Sequence, residues 1–266
     1  MKTKQLTLLL ILGVVTTAVT MAVEATRKLL NELSLSLTTL QREQTHKYRW
    51  ATVTKKGAAT DSKDYATLVV STQSKKNGIL LHDTITLIPS FGGTVFERKM
   101  KCPTNSLLYP EQITLDITGG GKTVREMSYE KGEMKVVVSR GETNSLQVKF
   151  DGGILTFNTL LRLAPLLPRD VGNVFTFKTY AEPFLFRIRK AEEKDAVFTI
   201  TCESLEKITI GKKSYDCVKF TLELKSVRIK TDLWVAQNGP VVKFVDHLPK
   251  GGSRDQADYL EATIQD

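Results

Sequence analysis

The sequence has few of the side chains that metal centres need. It contains three cysteines and three histidines among 266 residues, and it has no C-x-x-C pair. The histidines, His46, His82 and His247, are far apart along the chain and lack the spacing of metal ligands. No metal and no other cofactor are therefore expected.

The odd number of cysteines leaves at least one thiol without an intramolecular partner. Cys202 shares the parity of Phe198 and Ile200, an inward-facing set, whereas Cys217 shares the parity of polar residues such as Lys219. Residues of opposite parity on directly paired strands point to opposite faces of a sheet. No disulfide between Cys202 and Cys217 is expected.

The chain also lacks the motifs of common catalytic sites. The stretch GGGKT at 119–123 resembles a phosphate-binding loop, but Asp116 stands where that motif needs a glycine, and no apolar helix follows. No serine lies in a nucleophile elbow, and the acidic residues are spread singly along polar faces. The sequence therefore favours a protein that is not an enzyme, with a flexible turn at 119–123.

Acidic residues are fewer than basic ones, 29 against 38, which gives a formal net charge of +9. Such a surface attracts anionic partners, including phospholipid head groups. The basic pairs fall in predicted turns, and no concentrated basic groove accompanies the aromatic residues. Nucleic acid is therefore not an expected partner.

The first 25 residues have the pattern of a secretory signal peptide. Lys2 and Lys4 precede an uncharged run, and Val23 and Ala25 fit the −3 and −1 positions of a cleavage site. The pattern predicts a periplasmic or secreted protein whose mature chain, residues 26–266, is a single domain. An uncleaved membrane anchor is the alternative, because the run approaches the about 20 residues that span a bilayer.

Alternation of apolar and polar residues dominates the chain from Lys47 onward. The alternating segments are joined by short turns rich in Gly, Lys or Asn, of which KKNG at 75–78 is a strong hairpin signal. The pattern predicts a mainly β (α+β) fold. The main element of this fold would be a large curved antiparallel sheet or half-barrel of about eleven or twelve strands.

Two segments depart from this alternation. Leucines at three- and four-residue spacing predict a helix over about 26–43. The other segment is a short apolar stretch, residues 160–168, which we call the plug; Pro165 and Pro168 limit it to a turn or two of helix. Both are expected to cover the inner face of the sheet. Two pieces this short predict a ligand cavity lined by Phe, Leu and Ile, with a fully packed core as the alternative.

The residues expected to bind a ligand lie in the plug and on nearby strands. Arg162 is the one charge inside the plug, where it would pair with a ligand carboxylate or phosphate, cap a buried carbonyl or reach solvent. The apolar candidates are Leu160, Leu161, Leu163, Leu166, Phe175, Phe177, Phe184, Phe186 and Trp234.

Two family resemblances rest on these stretches. TRKLLNELSLSLTTLQ followed by THKYRWATV resembles the opening of the periplasmic lipoprotein carrier and receptor group, LolA and LolB. Residues 155–264 are similar to a family of exported bacterial domains of unknown function. The similarity comes from LRL with PL before a strand, from the stretch 208–224, and from LW at 233–234 with GPVVKF at 239–244. The chain departs from that family where LAPLLPRDVG lengthens the plug.

The resemblance implies a curved antiparallel half-barrel with helices in its mouth, an apolar cavity that carries acyl chains, and no catalytic residues. The leading hypothesis is an exported, non-enzymatic protein that holds a lipid, a lipoprotein acyl chain or another apolar ligand, with the plug as a lid. The alternative is a structural or protein-interaction module of the cell envelope with a filled core and an exposed sheet edge. A membrane surface or an envelope protein is the macromolecular partner that these hypotheses imply.

Overall fold

A computed structural model describes residues 27–29, 43–56, 59–103, 107, 110–118, 123–130, 133–140, 142–149, 153–155, 157–181, 196–224, 229–247 and 258–265. The predicted signal peptide lies outside these residues, and so do Phe184 and Phe186. Of the predicted turn at 119–123, only Thr123 is described.

Strands make up most of the described residues. Their bounds are β1 Arg27–Leu29, β2 Gln44–Lys56, β3 Ala59–Lys75, β4 Gly78–Leu87, β5 Val95–Cys102, β6 Gln112–Thr118, β7 Thr123–Glu130, β8 Glu133–Arg140, β9 Glu142–Lys149, β10 Gly153–Leu155, β11 Val174–Ala181, β12 Ala196–Ile210, β13 Lys213–Leu224, β14 Ile229–Ala236, β15 Val241–His247 and β16 Tyr259–Gln265. A helix, α1 (Phe157–Leu163), and a 3-10 turn, Ala164–Leu166, lie between β10 and β11. A further 3-10 turn, Pro89–Phe91, follows β4.

All these strands belong to one sheet of sixteen strands. Its order is β1-β11-β12-β13-β14-β15-β16-β2-β3-β4-β5-β6-β7-β8-β9, and β10 also pairs with β11. The neighbours are antiparallel, except that β1 and β10 run parallel to β11. The predicted fold class, a large mainly antiparallel sheet with a short helical plug, is confirmed. The count of sixteen includes β1 and β10, which have three residues each.

The β3–β4 hairpin shows how local sequence sets this architecture. Lys75 pairs with Gly78, so the predicted KKNG turn connects the two strands. Along β4 the side chains alternate between buried and partly buried positions, as the period-two pattern indicates. A Cβ atom at Gly78 would collide with the carbonyl oxygen of Cys102 on β5, so glycine lets that neighbouring backbone approach.

The segment after the predicted signal peptide differs from the prediction of a helix over 26–43. Residues Arg27–Leu29 form β1, which pairs in parallel with Val174–Thr176 of β11. Residues 30–42 of the predicted helix lie outside the described residues. Helix propensity is a weak local preference, and here pairing with a strand distant in sequence overrides it for the first three residues.

The sheet curves around the plug. Phe244 on β15, Ala262 on β16 and Trp50 on β2 lie side by side in register. The rings of Phe244 and Trp50 meet over the small Ala262 with centroids 5.7 Å apart, although strands two apart in a flat sheet are separated by about 9.5 Å. The plug packs against both β4 and β14, which are five strands apart in the sheet order. The concave face and the plug share one apolar core.

The three cysteines are free and buried. Cys202 pairs with Phe220 across β12 and β13, whereas Cys217 pairs with Glu206. Cys202 belongs to the apolar core. Cys217 was expected on an outward, polar face, but it is 1% exposed. Burial raises the pKa of the Cys217 thiol to about 11.

Candidate functional site

The plug contains the last residues of α1 and the 3-10 turn that follows them. α1 and the following 3-10 turn place Leu160, Leu161 and Leu163 in the core, each 4% exposed or less. Pro165 sits inside the 3-10 turn, where the helix ends. Gly172 then adopts a φ of 93°, and its N–H donates to the carbonyl oxygen of Cys202 at 2.8 Å. The chain can therefore turn directly from the plug into β11.

Arg162 fixes the plug to the concave face. Its Nε donates to Oγ1 of Thr72 at 2.8 Å, and its Nη2 donates to the carbonyl oxygen of Ser71 at 2.5 Å. Its Nη1 lies 3.5 Å from Oδ1 of Asp83. Of the roles considered for Arg162, the structure therefore shows the cap on a buried carbonyl, and it adds an ion pair that joins the plug to β4.

Asp83 is an unusual residue for the inside of a sheet. It is 3% exposed, and burial raises the pKa of its carboxyl group. The charges of Arg162 and of Arg98 on β5 oppose that rise. Loss of a counter-charge here would leave a carboxylate in apolar surroundings, which is costly. The buried ion pair between Arg162 and Asp83 therefore helps to hold the plug against β4.

Arg169 anchors the residues that follow the plug. Its Nη1 donates to the carbonyl oxygens of Ala236, at 3.1 Å, and Gln237. Its Nη2 donates to the carbonyl oxygen of Pro165 at 3.2 Å. These contacts join the plug to the turn between β14 and β15, on the other side of the concave face from Asp83.

A cavity of about 540 Å³ lies between the plug, β2, β3 and the β14–β15 turn. This volume falls within the range of small-molecule sites, about 300–1,000 Å³. Six of the cavity's lining residues are largely apolar. They are Tyr48, Val70, Leu161, Pro165, Leu166 and Pro240. Tyr48 is held in place because its hydroxyl donates to the carbonyl oxygen of Val241 at 2.8 Å.

The remaining lining is polar and carries positive charge. It includes Gln44, His46, Thr72, Arg162, Arg169 and Asn238. The Nε2 atom of His46 is buried and makes no hydrogen bond to the protein. Burial, and then the charge of Arg162, lower the pKa of His46, so the imidazole is neutral at pH 7. The cavity thus combines apolar residues with two arginines and a histidine whose pKa is lowered.

The structure brings only part of the predicted ligand set to this cavity. Leu161, Arg162 and Leu166 line it. Leu160, Leu163 and Phe175 are in the packed core behind it, each at most 1% exposed. The side chain of Phe177, with Phe184 and Phe186, lies outside the described residues. The expected lining of phenylalanine and isoleucine is not found among the described lining residues, because Phe175 is packed within the core.

Trp234 was expected on the concave face and lies on the other one. Its neighbours in sequence, Leu233 and Val235, belong to the core, and successive side chains of a strand alternate faces. Its Nε1 donates to Glu206 at 2.7 Å. The ammonium groups of Lys219 and Lys243 lie 5.3 and 5.2 Å from the ring centroid. Trp234 is therefore part of a polar network on the convex face.

Sequence reasoning missed His46, Thr72, Asp83 and Arg169. A signal was present for two of them. Asp83 shares the parity of the apolar residues of β4, and Thr72 shares that of Leu68 and Val70, which places both polar side chains on the apolar face. No comparable signal identifies His46 and Arg169, because their roles depend on segments far apart in the sequence.

The described residues contain neither a candidate membrane-spanning helix nor a candidate metal site. No helix in the described part of the chain has the length and apolar character to cross a membrane. Within the same residues, no group of three or more His, Cys, Asp and Glu side chains is placed to hold a metal ion.

Comparison with known proteins gives weak structural likeness. No protein family and no curated protein matches the chain. A β-barrel-like protein of the domain of unknown function DUF1849 from Brucella abortus is similar in structure, with a TM-score of 0.47 and 9% sequence identity. The match covers 83% of this chain and 96% of that one. The predicted resemblance to LolA and LolB remains a prediction.

Proposed function

We propose that the protein is an exported, non-enzymatic binding protein that holds a ligand with an apolar part, such as a lipid or an acyl chain, between the plug and the concave face. The observation that carries this proposal is the cavity of about 540 Å³ with its apolar lining residues. Ligand sites are typically concave, mostly preformed and lined by apolar groups with a few polar ones. This lining has that composition.

The plug suits the role of a lid. Leu161 and Leu166 face the cavity, while Leu160 and Leu163 are buried in the core. The plug is held by side-chain bonds from Arg162 and Arg169 to separate parts of the sheet. To open, the plug would have to break these bonds and withdraw Leu160 and Leu163 from the core, while the strand ladder stayed intact.

A cavity-filling substitution tests this proposal. Leu166→Trp places an indole in the cavity, and Val171→Trp is the matched control because Val171 is 55% exposed in the turn after the plug. The probe is the neutral dye N-phenyl-1-naphthylamine, followed by fluorescence titration. Wild type and Val171→Trp are expected to bind it saturably, and Leu166→Trp is expected to lose that binding. Equal binding by all three proteins would place the dye elsewhere and contradict the proposal.

Export is a separate part of the proposal and needs its own measurement. The full chain would be expressed in a Gram-negative host, recovered from the periplasm, and its intact mass determined under denaturing and native conditions. The expected denatured mass is that of the polypeptide from Thr26 onward. The expected native mass is larger by one bound lipid. A denatured mass that still includes Met1 would indicate an uncleaved anchor. A native mass equal to the polypeptide would count against lipid carriage.

The edge of β12 favours a second candidate, a protein-interaction module. β11 pairs with β12 only up to Thr201, and backbone hydrogen bonds extend this to Cys202. Residues 204–210 pair with β13 alone among the described strands, and Leu205 there is 63% exposed. An open edge of this kind can accept a strand from a partner. A Leu205→Lys variant that loses cross-linked envelope partners while it retains dye binding would support this candidate.

A further inference from the structure

The cavity lining carries basic but no acidic side chains. Arg162 and Arg169 both line the cavity, and none of the described lining residues is Asp or Glu. Asp83, which pairs with Arg162 and offsets part of its charge, is 3% exposed and does not line the cavity. A ligand in the cavity would therefore meet basic side chains and no carboxylate.

His46 supplies the second observation. It shares its face of β2 with Gln44 and Tyr48, and all three line the cavity. The Nε2 atom of His46 is buried without a hydrogen bond to the protein. A buried polar atom without a hydrogen-bond partner destabilises the fold. A ligand atom that accepts a hydrogen bond from Nε2–H would remove this destabilisation.

We infer that the cavity contains a head-group site for an anionic amphiphile, in which His46 and the lining arginines bind a carboxylate or phosphate while the chain contacts the apolar lining residues. This inference rests on the proposed function and names the class of ligand. A neutral imidazole in the tautomer with its proton on Nε2 donates a hydrogen bond from that atom, and the guanidinium groups supply positive charge. Hydrogen bonds from charged donors to an oxyanion are roughly twice as strong as neutral ones.

Arg162 contributes through its charge and its fixed position. Three groups of the sheet already hold its guanidinium, at Thr72, Ser71 and Asp83. The group is therefore oriented before any ligand binds, and little conformational entropy remains to be lost. Arg169 is held in a similar way by backbone carbonyl groups. A preorganised pair of cations favours an oxyanion over a neutral or cationic head group.

A series of ten-carbon amphiphiles tests the inference. The probes are decanoate, decyl phosphate, decanol and decyltrimethylammonium, each measured by displacement of N-phenyl-1-naphthylamine from the full mature chain. At least one of the two anions is expected to bind about tenfold more tightly than decanol, and the ammonium probe should bind most weakly. Whichever of decanoate and decyl phosphate binds more tightly identifies the head group as a carboxylate or a phosphate.

The variant His46→Phe tests the assigned residue. It keeps a planar ring on β2 and removes Nε2, so the preference for the anion over decanol should fall to about threefold or less while decanol binding is retained. His82→Phe is the control, because His82 pairs with Glu97 and does not line the cavity. It should keep the wild-type preference.

The outcomes separate this inference from the proposed function. If decanol and the anions bind wild type equally, the cavity binds apolar chains but the head-group site is refuted. If His46→Phe keeps the full preference for the anion, the assignment of His46 is refuted. If no probe displaces the dye, or if the dye itself does not bind, the proposed function fails first, and the head-group inference fails with it.

Discussion

Replacement of Arg162 by methionine is expected to destabilise the protein strongly. Methionine keeps an unbranched apolar side chain in the plug and removes the guanidinium group. The change takes away donors that lie 2.8 Å from Oγ1 of Thr72, 2.5 Å from the carbonyl oxygen of Ser71 and 3.5 Å from Oδ1 of Asp83. The acceptors stay where they are, so they lose partners that water does not readily replace.

The magnitude follows from how deeply these acceptors are buried. Thr72 and Asp83 are 5% and 3% exposed. A buried acceptor without a partner costs about 1–3 kcal/mol, and removal of one member of a buried ion pair costs about 3–5 kcal/mol. Protonation of Asp83 limits the penalty, because its pKa is already raised by burial. A loss of about 4 kcal/mol in the free energy of unfolding is therefore expected.

Urea denaturation monitored by tryptophan fluorescence measures this loss. With an m value of about 3 kcal/mol/M, the midpoint should fall by about 1.3 M. Arg169→Met is the matched control in the adjoining segment. Arg169 is half-buried and donates to backbone carbonyls near the exposed β14–β15 turn, so its loss should cost about 1 kcal/mol.

The pH dependence of the variant tests the role of Asp83. Removal of Arg162 takes away a charge that opposes the rise in the pKa of Asp83. The carboxyl group of the variant then binds a proton more readily in the folded than in the unfolded protein. The deficit in stability should therefore shrink as the pH falls from 7 to 5. A loss below about 1 kcal/mol, or a loss equal to that of Arg169→Met, would refute the reasoning.

Three further predictions concern other parts of the fold. Gly172→Ala should lower the free energy of unfolding by about 1 kcal/mol in a urea titration, because the φ of Gly172 is 93°; an unchanged midpoint would contradict this. Burial opposes ionisation of Asp232, but hydrogen bonds from His247 and Thr221 outweigh it and lower its pKa to about 2. The stability that ionised Asp232 contributes to the folded protein is therefore present above about pH 4 and lost toward pH 2. The curves of stability against pH for wild type and Asp232→Asn should converge in that range; parallel curves would argue against this prediction. All three cysteines are buried, so a thiol reagent should label them only after denaturation; rapid labelling of the native protein would contradict this prediction.

Much of the fold could be predicted because its main signal is local. In β3 and β4 a side chain lies on the inner or outer face according to its parity, and the KKNG turn fixes the hairpin. The plug was predictable because Pro165 limits its helix whatever surrounds it. The N-terminal segment shows the limit of such reasoning. Its leucine spacing favours a helix, yet Arg27–Leu29 pair with β11, a contact that no local pattern contains.

The candidate site was less predictable than the fold. Leu161, Arg162 and Leu166 were expected near a ligand, and they line the cavity. Trp234 was expected there for its size and aromatic character, but it lies on the convex face, where it stacks with Lys219 and Lys243. Parity relative to Leu233 would have indicated that face. Aromatic character alone does not distinguish a core residue from one that packs under long cationic side chains.

The sequence by itself determined that this chain forms strands of alternating apolar and polar residues, that a proline-limited apolar plug interrupts them, and that Asp83 shares a face with apolar residues. Each of these features follows from covalent geometry and from periodicity within a few residues. Only the tertiary structure decided that Arg162 meets Asp83, and that His46 lies beside both the plug and the β14–β15 turn. These contacts join segments tens of residues or more apart, and their geometry depends on sheet order and curvature, which only long-range pairing sets.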